Sequence, residues 1–156
     1  MKPIDLLRLV ALLASSGCAR RPDPPAFVAV ADLRQLMASI VEPAAETYWD
    51  AVGTVEDSSG VTSLAPRSKE DWDEVRNAAY IVTESGNLMM MAPRAKDQKE
   101  WMTLSRVMIE TGRRAIKAAE AHDTAEVFNA GAALYEACTS CHTRYAITQP
   151  RPPATQ

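Results

Sequence analysis

Cys138-Thr139-Ser140-Cys141-His142, near the end of a 156-residue chain, is the stretch from which the rest of the sequence is read. Cys-x-x-Cys-His is the attachment pattern of a c-type haem. The two thiols form thioethers to the vinyl groups, and the histidine beside the second thiol reaches the iron as proximal ligand. On a helix, Cys138 to Cys141 is a step of three and Cys138 to His142 a step of four. All three side chains then leave one face. A zinc site would need further ligands, for which only Cys18 and His122 remain in the sequence. Thioredoxin-type chemistry needs a βαβ context, and none is visible. Two of the three cysteines and one of the two histidines fall within five residues. Chance clustering on a buried helix does not account for that concentration.

The N-terminus agrees with this reading. Residues 1–18 have the form of a lipoprotein-like signal peptide. Lys2 and Arg8 supply positive charge, interrupted by Asp5, and the apolar run from Leu9 to Ala14 is too short to span a bilayer. Ser15-Ser16-Gly17-Cys18 is similar to a lipobox, with Ser15 where leucine is usual, and makes Cys18 the candidate lipidation site. Ordinary cleavage nearby, for example after Ala19, is the alternative. Either route exports the chain, and bacteria attach haem covalently on the far side of the inner membrane. The expected location is the periplasm or the periplasmic face of the membrane. Residues 19–30, with Pro22, Pro24 and Pro25, read as a linker.

The remaining length suits one domain. A hydrophobic content of 47% is ordinary for a globular chain. A net charge of −3 indicates no nucleic-acid partner. No Gly-rich phosphate loop and no Ser/His/Asp arrangement is present, and no enzymatic activity is expected.

Four helical segments follow from the apolar spacing. The first is expected from its N-cap Asp32 to Val52, with a stripe of Leu33, Met37, Ile40, Ala44 and Tyr48 and a kink at Pro43. Residues 53–68 read as a loop, broken by Gly53, Gly60 and Pro66. The second starts at Ser68, with Asp71 completing a capping box, and carries Trp72, Val75, Ala79, Val82, Gly86 and Met89. The third is expected from Asp97 to Ala121, with Trp101, Leu104, Met108, Gly112, Ala115 and Ala119. The fourth, capped by Asp123, carries Phe128, Ala132, Tyr135, Cys138, His142 and Tyr145 as a core-facing stripe. The expectation is an all-α protein, an antiparallel four-helix bundle over residues 31–147 with covalent haem inside, and a disordered tail over 148–156.

Four helices with Cys-x-x-Cys-His late in the last one resemble the cytochrome c prime family, the class II c-type cytochromes. Class I cytochromes c carry the motif early and a methionine ligand late; here the order is reversed. Tyr145, three after His142, matches a tyrosine common in the family. Ala146 stands where a basic residue is usual, as in a divergent branch. The resemblance spans about residues 30 to 147 and implies one haem c, redox partner proteins and a homodimer. Members either hold five-coordinate iron that binds nitric oxide or carbon monoxide, or carry a first-helix methionine as sixth ligand and transfer electrons. Electron transfer is the leading expectation for this chain, and gas binding the alternative.

Met37 is the candidate sixth ligand, on the stripe of the first segment, with Leu36 as the apolar alternative at that face. Arg34, three residues before Met37, is the candidate partner of a haem propionate. Met89, Met90 and Met91 read as core filler or pocket lining. His122, beside a helix-start Asp, reads as solvated. Trp49, Trp72 and Trp101 read as packing anchors. The first segment offers no acid–base residue on its apolar stripe for peroxide chemistry.

Overall fold

The structure is a computed structural model, and it describes residues 27–145. The signal segment with Cys18, most of the linker, Ala146 and the tail lie outside the described residues.

Helix α1 is a composite. An α-helical turn, Leu33–Leu36, runs into a π-helical turn, Met37–Val41, and then into an α-helix, Glu42–Trp49. Asp32 caps it as expected, accepting the Gln35 N–H at 2.8 Å while the Gln35 side chain accepts the Asp32 N–H at 3.2 Å. The irregularity has a cause in Pro43. Proline has no N–H for the Ser39 carbonyl, and its ring crowds that carbonyl. The wider turn ahead of it relieves both problems, with the Glu42 N–H bonding to Met37 O, five residues back. Pro43 then occupies the first turn of the following α-helix, where a missing N–H is not needed.

The π turn corrects the expected stripe. Leu36, Val41, Ala44, Ala45 and Tyr48 are buried, Leu33 and Met37 are partly buried, and Ile40 is 39% exposed. The helix also ends at Trp49 rather than Val52, although Val52 is buried.

The expected loop over 53–68 contains a β-hairpin instead. Strands β1 (Gly53–Asp57) and β2 (Gly60–Leu64) pair antiparallel, with Val55 opposite Thr62. Asp57 accepts the Ser59 N–H at 2.7 Å in the turn, and Gly60 takes φ +131°, a conformation open to glycine. Almost every hairpin residue is exposed. With neither face buried, no apolar–polar alternation is needed. The only sequence signal is the β-branched set Thr54, Val55, Val61 and Thr62.

Helix α2 (Lys69–Met90) starts at the expected Ser68–Asp71 capping box and buries its whole expected stripe, from Trp72 to Met89. Helix α3 (Glu100–Glu120) begins later than expected, but Asp97 still serves its first turn, accepting the N–H groups of Lys99 at 2.8 Å and Trp101 at 3.1 Å. Helix α4 (Thr124–Tyr145) starts where Asp123 accepts the Glu126 N–H at 3.0 Å. Between α2 and α3, Arg94 is only 6% exposed. Its guanidinium donates to Ala31 O at 3.0 Å and Leu88 O at 3.1 Å. It thus caps the C-terminal carbonyls of α2, where the helix dipole favours a cation, and ties down the lead-in to α1.

Consecutive helices pack on one another. Tyr80 meets Glu120, Thr83 meets Gly112, and Trp101 Nε1 donates to Met89 O at 2.9 Å, so α2 and α3 run in opposite directions. Helix α4 packs along α3, and α1 along α2. Between α1 and α4 contacts are few. One of them is the bond from Trp49 Nε1 to Gly131 O at 2.9 Å. The inward face of α4 also differs from the expected one. Val127, Ala130, Gly131, Leu134 and Ala137 are buried, while Phe128 is 62% and Tyr135 61% exposed. Alanines lie on several faces of this helix, so periodicity does not single out one, and the large aromatics point outward. Among the described residues, no helix is long and apolar enough to cross a membrane.

The closest approach of α2 and α3 is testable. A Cβ on Gly112 would fall 2.2 Å from Thr83 Oγ1, and the Thr83 hydroxyl is committed to Ala79 O at 2.7 Å. Gly112→Ala is expected to lower stability by about 1–3 kcal/mol in urea unfolding, with part of the loss recovered by adding Thr83→Ala.

Candidate functional site

Helix α4 presents Cys138, Cys141 and His142 to an apolar cavity of about 360 Å³. Met37, Val41, Ala45 and Trp49 of α1 line it from another side, and buried Met89 of α2 and Met108 of α3 close it toward the core. The cavity exists because α1 and α4 stand apart. Where they do touch, Gly131 leaves room for the Trp49 indole, since a Cβ there would fall 3.2 Å from Trp49 Cδ1. Trp49 is thus more than a packing anchor. It spaces the two helices and forms part of the wall.

The π turn decides what α1 presents. In an α-helix, residues five apart point about 140° from one another. Across the widened turn both Met37 and Glu42 line the cavity. This corrects the expectation that α1 offers no acid–base group there: an unbroken α-helical stripe through Met37 leaves Glu42 off the wall, and the π turn brings it onto it. Pro43 was the available signal.

The other expected residues divide. Met37 lines the cavity, whereas Leu36 is 1% exposed and belongs to the core. Met89 lines the cavity, and Met91 instead accepts from Arg94 at 3.2 Å. Arg34 is exposed in the first turn of α1 and is not among the lining residues. His122 is exposed at the corner before α4, with φ +53°, and its ring stacks on Trp72 at 4.7 Å and 12°. It also lies off the cavity. Cys18 is outside the described residues.

Both thiols are free and partly buried. Burial pushes the Cys138 pKa above its ordinary value; burial and then the neighbouring Cys138 do the same for Cys141. Both therefore stay protonated at neutral pH. Among the described residues, no group of three or more His, Cys, Asp or Glu side chains is placed to hold a bare metal ion. Cys138, Cys141 and His142 share a face without forming such a cluster.

The last described turn of α4 is held by contacts that the sequence did not show, though it singled out Asp97, Trp101 and Tyr145 for other reasons. The Tyr145 hydroxyl donates to Asp97, and its ring meets Trp101 edge-on at 4.9 Å. Arg144 pairs with Glu100 at 2.8 Å. Burial, followed by the Asp97 carboxylate, pushes the Tyr145 pKa up to about 12. The Tyr145 hydrogen bond, followed by backbone N–H groups, holds Asp97 below the usual carboxylate range.

No family model, curated protein or solved structure matches the chain.

The Asp97 contacts predict an acid limb of stability. A carboxyl group with a depressed folded pKa contributes stability that is present above its unfolded value of about 4 and lost as pH falls through the folded value. Thermal midpoints of the wild type should therefore fall below about pH 4 more steeply than those of Asp97→Asn. Parallel acid limbs would show that these contacts do not form in solution.

Proposed function

We propose that the chain is a c-type cytochrome, an antiparallel four-helix bundle with one covalent haem c, that passes single electrons on the periplasmic side of a bacterial membrane. The observation that carries the reading is that one apolar cavity is lined by Cys138, Cys141 and His142 from α4 and by Met37 from α1. Spacing alone brings the first three together; only the fold brings the fourth.

The donor set suits this group. Cys138 and Cys141 would hold the haem through thioethers, and His142 and Met37 would be the residues that supply ligands to its iron. Bound there, the haem supplies a one-electron couple whose potential is set by axial ligands and burial, with methionine raising it. The protein's part is structural. The protonated thiols lie side by side on one helix face. Val41, Ala45, Met89 and Met108 give the cavity its apolar wall. Trp49 and the α3–α4 contacts fix the distance between the walls. Redox partner proteins are part of this reading. The Arg34 expectation draws no support from its exposed position off the cavity.

Gas binding is the reading that follows if Met37 only packs, since the sixth position would then be open to a small ligand on the α1 side of the cavity, beside Val41. The spin state of the ferric protein separates the two. Produced in a host that matures c-type cytochromes, the wild type is expected to be coloured, to keep its haem in acidified organic solvent, and to be low-spin. Cys138→Ala/Cys141→Ala should carry no covalent haem. Met37→Leu should be high-spin and bind nitric oxide. A colourless wild type sinks the cytochrome reading, and a high-spin wild type moves the function to gas binding.

A further inference from the structure

His142 lies in α4 one turn before Tyr145, the last described residue of the helix. A helical turn opens at little cost unless contacts from outside the helix hold it. In this molecule such contacts are present. Tyr145 donates its hydroxyl to Asp97 and sets its ring against Trp101, which is itself fixed by the bond from its Nε1 to Met89 O at 2.9 Å. Asp97 is fixed in turn, accepting the N–H groups of Lys99 and Trp101 at the start of α3. Arg144 adds an exposed pair to Glu100 at 2.8 Å. These ties cross from residues 144 and 145 to residues 97–101, more than forty positions away in the chain.

We infer that Asp97 and Tyr145 form a clamp that fixes the histidine-bearing turn, and that both are positioning residues for His142. The inference rests on the reading of His142 as an iron ligand. The clamp acts through the backbone. With Tyr145 anchored, residues 142–145 stay helical, and the imidazole keeps its direction relative to the two thiols one turn earlier. Because Trp101 reaches back to Met89, a cavity residue, the same ties connect the end of α4 to the cavity wall. The exposed Arg144–Glu100 pair contributes less, being screened by solvent.

The test uses the full chain carrying its haem, as wild type, Tyr145→Phe, Asp97→Asn and the double variant. Tyr145→Phe keeps the ring against Trp101 and removes only the hydroxyl. Amide hydrogen exchange at residues 142–145 is expected to quicken about 10- to 100-fold in either single variant, the range for a hydrogen bond to a charged group. Residues 127–137 should be unaffected, and the double variant should be no faster than the singles. The reduction potential of the haem should shift in the same variants, which a change in overall stability alone would not cause. Unchanged exchange at 142–145, acceleration spread evenly along α4, or an unaltered reduction potential would overturn the clamp. A wild-type chain without haem would instead overturn the cytochrome reading, and the exchange pattern would then decide the Tyr145–Asp97 contacts by itself.

Discussion

The missing N–H of Pro43 is the constraint on which the cavity depends. An α-helix running unbroken from Asp32 would present Ile40 inward and carry Glu42 away from the Met37 side. Because Pro43 cannot donate to Ser39 and crowds its carbonyl, the preceding turn widens, and one extra residue enters the helical repeat. Everything after it is re-aimed. Val41, Ala45 and Trp49 fall in line behind Met37 on the cavity wall, while Ala44 and Tyr48 turn to the core. A residue usually regarded as a helix breaker here sets the register of the wall that faces the Cys-x-x-Cys-His motif.

Around that wall the molecule is held unevenly. Helices α2 and α3 approach closely over small residues, with Gly86 against Ser105 and Gly112 against Thr83. Helices α1 and α4 stay apart and are spaced by an indole. The result is a tightly packed pair beside a loosely packed one, with the cavity in the loose half. At the end nearest the motif, Arg94 secures the start of α1, and Asp97 secures the last described turn of α4. The α2–α3 connection, which has no regular structure of its own, therefore holds both of the loosely packed helices that line the cavity.

Much of this was legible in the sequence, for identifiable reasons. The capping residues Asp32, Ser68, Asp71 and Asp123 mark helix starts because their short acidic or hydroxyl side chains satisfy backbone N–H groups locally, with no help from the rest of the fold. The stripe of α2 was readable because its large apolar residues fall on one face only. Helix α4 was not, since its alanines mark no single face and its aromatics face outward beside α1. The hairpin was hidden because it buries nothing. The motif itself was legible as spacing, and Met37 as a residue on an apolar stripe. The place of Met37 on the cavity wall agrees with that stripe, whereas that of Glu42 depends on the π turn and could not be read from a regular 3.6-residue repeat. The clamp on Tyr145 joins residues distant in the chain, which no local pattern encodes.

The β1–β2 hairpin has a consequence of a different kind. It projects between α1 and α2, keeps nearly all its residues in solvent and takes no part in the cavity. Its folding is thus decoupled from that of the helices, and its length is under little structural restraint. This is where the architecture can grow, shrink or accept a foreign segment while the spacing of its helices is preserved. Even its larger apolar side chains, Val55 and Val61, stand in solvent, so a change of length there costs the helices no buried contact of theirs.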